Sequence, residues 1–191
     1  LSVTVTNVNE VPIAAADSFS ANEDTTIAGN VLTKDTDPEG DVLNAVLVTG
    51  PSHGTLSFNA DGSFRYTSAG NWFGSDSFSY RADDGSLSSA QVTVMLTVAA
   101  VNDPPAISPI ALANLAEDGS LLITQANLLA GASDVDGDAL TASNLALVSG
   151  SGTLADNGNG TWTFSPAANW NGASSFSFVV SDGTTSTANT A

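Results

Sequence analysis

The chain repeats itself, and that constrains its architecture more than any other feature. Val8-Asn9-Glu10-Val11-Pro12 recurs as Val101-Asn102-Asp103-Pro104-Pro105 at an offset of 93, and Glu23-Asp24 recurs as Glu117-Asp118 at 94. Asp41-Val42-Leu43 returns as Asp138-Ala139-Leu140 at 97. Gly54-Thr55-Leu56, Asn71-Trp72 and Asp84-Gly85 return as Gly152-Thr153-Leu154, Asn169-Trp170 and Asp182-Gly183, all at 98. Order is kept while the offset drifts by five residues, so a unit of about 95 residues, the size of one small domain, is present twice. The expected division is residues 1–9 as the final strand of a preceding repeat, 10–101 as repeat 1, 102–105 as a linker and 106–191 as repeat 2. Pro104 and Pro105 restrict their own φ and the residue before them, which suits a short stiff connector. Ala191 aligns with Thr93 on this reading, so the last strand of repeat 2 lacks the residues equivalent to Val94 through Val98.

Each repeat reads as all-β. Apolar residues alternate with period two at Leu56/Phe58, Phe64/Tyr66 and Phe78/Tyr80/Ala82, and again at Trp162/Phe164 and Phe176/Phe178/Val180. Asn59-Ala60-Asp61-Gly62 and Asp156-Asn157-Gly158-Asn159-Gly160 mark turns between such runs. About seven short strands per ~95 residues imply two tandem Greek-key β-sandwiches set end to end. Gln125-Ala126-Asn127-Leu128-Leu129 shows no alternation and is expected to form a single helical turn.

Charge narrows the functional classes. Twenty Asp and Glu stand against three Lys and Arg, a formal net charge of −17. Such a chain repels a phosphate backbone, which excludes nucleic acid as a partner. Its short apolar runs exclude membrane insertion. With no cysteine, disulfides and thiolate metal sites are impossible.

The acids cluster. Asp134-Val135-Asp136-Gly137-Asp138 sets three carboxylates at alternate positions around a glycine. Repeat 1 carries Asp35-Thr36-Asp37-Pro38-Glu39-Gly40-Asp41, read as the same device with two residues inserted. Carboxylates packed this closely repel one another, whereas Ca²⁺ takes six to eight hard oxygen ligands. An EF-hand is excluded, because no glutamate stands at the twelfth position and no helices flank the loop.

Taken together, Val-Asn-Asp-Pro-Pro, Ala-Asn-Glu-Asp and Leu-Ala-Glu-Asp, Asp-Val-Asp-Gly-Asp, and Asn-Trp-x-Gly followed by Ser-Phe-Ser-Tyr/Phe and Asp-Gly resemble the bacterial cadherin-like tandem repeats of giant secreted RTX-type surface adhesins. The resemblance implies Ig/cadherin-like sandwiches in a rod, an extracellular location on the bacterial cell surface, and Ca²⁺ held between adjacent repeats of the same chain. It further implies a calcium-rigidified extender that projects adhesive domains for surface and biofilm attachment. Carried over residue by residue, a junction site takes Glu23 from repeat 1, Asn102 and Asp103 from the linker, and Asp134, Asp136 and Asp182 from repeat 2. An upstream half-site takes Asn9, Glu10, Asp35, Asp37 and Asp84, and a downstream one keeps Glu117. The linker is shorter than the cadherin Asp-x-Asn-Asp-Asn and the Asp-Arg-Glu motif is absent, so one or two ions per junction are expected.

Nothing in the chain spells an active site, and it is read as non-enzymatic. His53 has no partner histidine, and neither a Gly-x-Ser-x-Gly elbow nor a phosphate loop is present. Trp72 and Trp170 are read as plugs over the cores. The alternative is a carbohydrate-binding module, with Trp72, Trp162 and Trp170 supplying its aromatic surface. Leu1 to Thr6 match the spacing of a final strand, so strand exchange with a second molecule's repeat 2 is a further expectation.

Overall fold

In the first half of the chain the alternating runs become seven strands: β1 (Asp17–Asn22), β2 (Thr26–Asn30), β3 (Asn44–Thr49), β4 (Gly54–Phe58), β5 (Ser63–Ser68), β6 (Gly74–Asp83) and β7 (Val92–Ala99), with a 3₁₀ turn at Val31–Lys34. The structure, a computed structural model, describes residues 1–190, and it divides into the units Leu1–Val101 and Asn102–Ala191.

Unit 1 has one sheet in the order β1-β7-β6-β3, with β1 parallel to β7 and the other pairs antiparallel. Its second sheet runs β2-β5-β4, antiparallel throughout. Period-two patterning aims Phe64 and Tyr66 from one sheet, and Phe78, Tyr80, Val94, Leu96 and Val98 from the other, into one shared core. Phe64 and Phe78 meet edge to face with ring centres 5.1 Å apart. The alternate residues Arg65, Thr67, Met95 and Thr97 are exposed.

Unit 2 repeats this plan with β8 (Ala106–Ile107), β9 (Leu121–Thr124), α1 (Gln125–Leu128), β10 (Ala132–Ser133), β11 (Thr141–Ser149), β12 (Gly152–Asp156), β13 (Thr161–Pro166), β14 (Ser175–Ser181) and β15 (Ser186–Thr190). Its sheets are β11-β14-β15, β12-β13-β9 and the short pair β10-β8. Trp162, Phe164, Phe176, Phe178 and Val180 form the core with Ile123 and Leu128. The expected helical turn is α1; Thr124 accepts a bond from the Asn127 N–H while Asn127 accepts one from Thr124 N, a reciprocal cap.

Residues 1–9, expected to be the final strand of a preceding repeat, form no strand here and are exposed throughout. Leu1, Val3 and Val5 alternate as a strand requires, yet pair with no strand among the described residues, and an unpaired strand has no sheet to hold it. The register of the last strand also moves by one. Thr190 faces Ser177 as Thr93 faces Ser79, so Thr190, not Ala191, is the counterpart of Thr93. The connection from Asp182 is one residue shorter than that from Asp84. Ala191 itself lies outside the described residues.

The paired aromatics show how each core solves its polar groups. Tyr80 Oη in unit 1 donates to Asp35 Oδ2 at 2.8 Å and to the Val31 carbonyl at 2.9 Å. Burial, then the Asp35 carboxylate, drive this phenol's pKa upward. The same places in unit 2 hold Phe178 and Ala132, so phenol and acid are lost together. Trp72 and Trp170 each lie over a glycine; a Cβ on Gly74 or Gly172 would sit 3.3 or 2.9 Å from the indole Cζ2. Both indoles are half-buried, which fits the plug reading, whereas Trp162 is inside the core and offers no exposed ring.

Candidate metal centre

The Asp-x-Asp-Gly-Asp loop of unit 2 is folded by its own first carboxylate. Asp134 Oδ1 accepts bonds from the N–H of Asp136 at 3.0 Å and of Asp138 at 3.3 Å. Gly137 permits the turn with φ of +81°, a conformation that favours glycine. Asp136 Oδ2 then accepts the Asp103 N–H at 2.8 Å, which ties residues 102–103 to the loop. Asn102 Nδ2 donates to Asp182 Oδ2 at 2.9 Å and to the Asp103 carbonyl at 3.1 Å. Asp182 Oδ1 accepts the N–H groups of Thr184 and Thr185, both at 2.6 Å. Asn102, Asp103, Asp134, Asp136 and Asp182 are therefore brought together by a continuous set of hydrogen bonds. Oxygens of Asp134, Asp136 and Asp138 lie within 4.8 Å of one another.

Unit 1 builds the same arrangement from different letters. Asp37 Oδ1 accepts from Glu39 N at 3.0 Å and Asp41 N at 3.1 Å, around Gly40 with φ of +80°. Glu39 Oε2 accepts the Glu10 N–H at 3.0 Å. Asn9 Nδ2 donates to Asp84 Oδ2 at 2.9 Å, and Asp84 Oδ1 accepts from Ser86 N and Leu87 N at 2.6 and 2.7 Å. Asp37, Glu39 and Asp41 thus correspond to Asp134, Asp136 and Asp138 at a constant offset of 97, with no residues inserted. Asp35 corresponds to Ala132 and lies outside the cluster: its Oδ1 accepts Ala15 N at 2.8 Å and its Oδ2 accepts the Tyr80 phenol. The sequence reading missed Glu39. Extending the Asp41–Asp138 match back by two residues finds it, because a glutamate there keeps the carboxylate and changes only its reach.

Hydrogen bonding lowers the proton affinity of the flanking acids. Asp182 sits below the usual carboxylate range, chiefly through the Thr185 hydroxyl and then the Asn102 amide. Asp84 is lowered too, first by the Leu87 N–H and then by Asn9. Both remain anionic across any neutral or mildly acidic medium.

Asp37 Oδ2 and Asp134 Oδ2 are buried and meet no hydrogen-bond donor. A buried carboxylate oxygen without a partner is costly, and here it occurs twice in the same setting. The surrounding donors are all oxygens, a set suited to a hard divalent cation such as Ca²⁺ and unsuited to a soft one. Glu23, at the end of β1, is 4% exposed; its Oε1 accepts the Val101 N–H at 2.6 Å and its Oε2 is likewise buried without a donor. Glu117, its counterpart in unit 2, is exposed.

The comparisons agree with this architecture. Residues 101–191 match the family model of the cadherin-like domain, and residues 9–97 match that of the bacterial Ig domain. Each half of the chain thus matches a β-sandwich domain model, bacterial Ig in the first and cadherin-like in the second, and domains of these two kinds are usually extracellular or surface-exposed. No curated protein matches the chain. Among solved structures, cadherin domains 1–2 of human mucin-like protocadherin align at a TM-score of 0.51 and 13% identity, over 94% of this chain and 95% of theirs. Cadherin domains 3–6 of protocadherin gamma B2 align at 0.52 and 17%, over 97% of this chain and 51% of theirs. An endo-fucoidan hydrolase of glycoside hydrolase family 107 aligns at 0.37 and 26%; this chain covers 94% of itself but 28% of that enzyme. Among the described residues, no helix is long and apolar enough to cross a membrane.

Proposed function

We propose that this chain is a calcium-stiffened spacer from a bacterial surface adhesin. The observation that carries the proposal is the repeated acid cluster, with a buried, donor-less carboxylate oxygen at Asp37 and at Asp134. Asp134, Asp136, Asp182, Asp103 and Asn102 would hold Ca²⁺ in unit 2, with Asp138 at the loop's end. Asp37, Glu39, Asp84, Glu10 and Asn9 would hold it in unit 1, with Asp41 in the place of Asp138. Asp35 is left out of this set, since Tyr80 and Ala15 occupy its oxygens. The proposal extends to Glu23 by chain connectivity: Glu23 holds the N–H of Val101, the residue before Asn102.

A short connection leaves two small domains free to reorient unless something ties them. Residues 102–103 are the connection, and they are also cluster members, so a bound cation immobilises the connection itself. The cation contributes charge neutralisation and a fixed centre; the protein contributes an oxygen cage held open by backbone N–H groups. Extracellular modules of this kind bind Ca²⁺ with Kd of about 10⁻⁴ to 10⁻³ M. This suits a device that stiffens outside the cell and stays loose where calcium is scarce.

Backbone ¹⁵N relaxation tests the function. With Ca²⁺ both units should report one correlation time, and with chelator each should report its own, shorter one. Identical relaxation in both conditions would remove the stiffening role even if calcium binds.

A further inference from the structure

The first and last strands of unit 1 lie side by side and run the same way. β1 pairs with β7 in parallel through six residue pairs, from Asp17–Val94 to Asn22–Ala99. In such a pair the chain enters at one end of the ladder and leaves at the other. Tension along the chain therefore drives the two strands past each other, and the ladder bonds, which lie across the strands, share the load. In an antiparallel hairpin both chain ends lie at one end, and tension opens the bonds one at a time.

The surroundings of this ladder favour load-sharing. Val94, Leu96 and Val98 are buried, and Phe19 and Ala21 pack against the same core, so one face of the ladder is dry. On its other side β7 is held by β6 through seven antiparallel pairs, from Gly74–Val98 to Tyr80–Val92. The pairing also continues past the end of β1. Glu23 N–H donates to the Ala99 carbonyl at 2.8 Å, and Glu23 Oε1 accepts the Val101 N–H at 2.6 Å. Glu23 is buried, and a carboxylate is a stronger acceptor than a carbonyl. Upstream, one bridge between Ile13 and Thr36 pins the chain, and it yields before a ladder of several pairs does.

We propose that the β1–β7 ladder, closed by Glu23, is a shear clamp that lets unit 1 bear tension along the chain. The inference rests on the spacer reading, since a spacer is loaded from end to end, and it extends that reading from stiffness to strength. Load leaves β7 through residues 100–101. Glu23 ties Val101 back to β1, so this segment stays on the ladder until all of its bonds are loaded together.

The chain has no cysteine, so a pair of introduced thiols sets the direction of pull. Val8→Cys with Val101→Cys loads the clamp lengthwise. Thr26→Cys with Thr55→Cys pulls across the strands of the other sheet, because both residues pair with Thr67 from its two sides. In single-molecule force spectroscopy at one pulling speed and with chelator present, the lengthwise pair should need at least about twice the force of the crosswise pair. Glu23→Ala should lower the lengthwise force and leave the crosswise force unchanged. Glu23→Gln keeps an oxygen acceptor for Val101 and should restore most of the loss. Chelator keeps calcium out of the comparison, so failure of the stiffening test and failure of the clamp are separate results. Equal forces in the two directions, a lengthwise force indifferent to Glu23→Ala, or a loss shared equally by both directions would each overturn the proposal.

Discussion

Replacing Asp76 with alanine should destabilise unit 1 by about 3–5 kcal/mol, the largest effect expected of any single polar substitution in the chain. The side chain is 4% exposed and accepts from the N–H groups of Ser52, His53 and Ser77 and from the Tyr66 phenol. Alanine leaves these donors buried without an acceptor, and frees the turn that leads into β4. Burial raises the Asp76 pKa, but the donated bonds outweigh it and the net direction is down. A folded-state pKa below the unfolded value gives stability that is complete above about pH 4 and is lost as pH falls through the folded value. The parent should therefore lose stability in acid more steeply than Asp76→Ala does. In unit 2 the corresponding pair is Ser174 and Phe164, and Ser174 Oγ is buried without a partner. Ser174→Ala should accordingly change stability by less than about 1 kcal/mol. Denaturant unfolding of both variants reads the contrast, and equal losses would refute the assigned role of Asp76.

Calcium should raise the stability of both units. At about 10 mM Ca²⁺, a site with Kd of ~10⁻⁴ M adds roughly 2.7 kcal/mol to the domain that holds it. For domains of this size that is a rise of about 10–20 °C in thermal midpoint. Mg²⁺ should do less, because it demands a tighter octahedron and sheds water reluctantly. Scans with Ca²⁺ and with chelator at matched ionic strength separate binding from general screening of the −17 charge. Coincident midpoints would remove the metal reading for both clusters at once.

Much of this was legible before any coordinates. Alternation at Phe64/Tyr66 and Phe176/Phe178 places those residues in the cores because a sandwich strand has one wet and one dry face. The helical turn at Gln125 showed as a break in that alternation. The acids at Asp134, Asp136 and Asp182, which hydrogen bonds bring together, stood out because they concentrate charge in short, repeated motifs. Two things were hidden. Asp35 and Asp37 are both acids two residues apart, and spacing alone does not say which belongs to the cluster; the Tyr80 phenol decides it, through a contact spanning 45 residues. No sequence motif marks Asp76, which lies within β6. Its burial follows from long-range packing against Tyr66 and the Ser52–His53 turn, which leaves no local signature. The match of Tyr66 and Tyr80 to Phe164 and Phe178 was the available hint, since a buried phenol needs an acceptor and a phenyl ring does not.

The claim that the repeated clusters hold calcium is tested most directly by calorimetric titration of Ca²⁺ into the parent chain and three variants. Asp134→Ala removes the carboxylate that organises the unit 2 loop and supplies its buried oxygen. It should weaken binding at that site at least about tenfold, or abolish it, and leave the unit 1 site intact. Asp35→Ala should reduce the stability of unit 1 while leaving calcium affinity within about twofold, and Asp61→Ala, in an exposed hairpin turn, should change neither. Equal affinities for the parent and Asp134→Ala, or a loss shared equally by all three variants, would contradict the assignment and reduce the acidity to a diffuse surface charge.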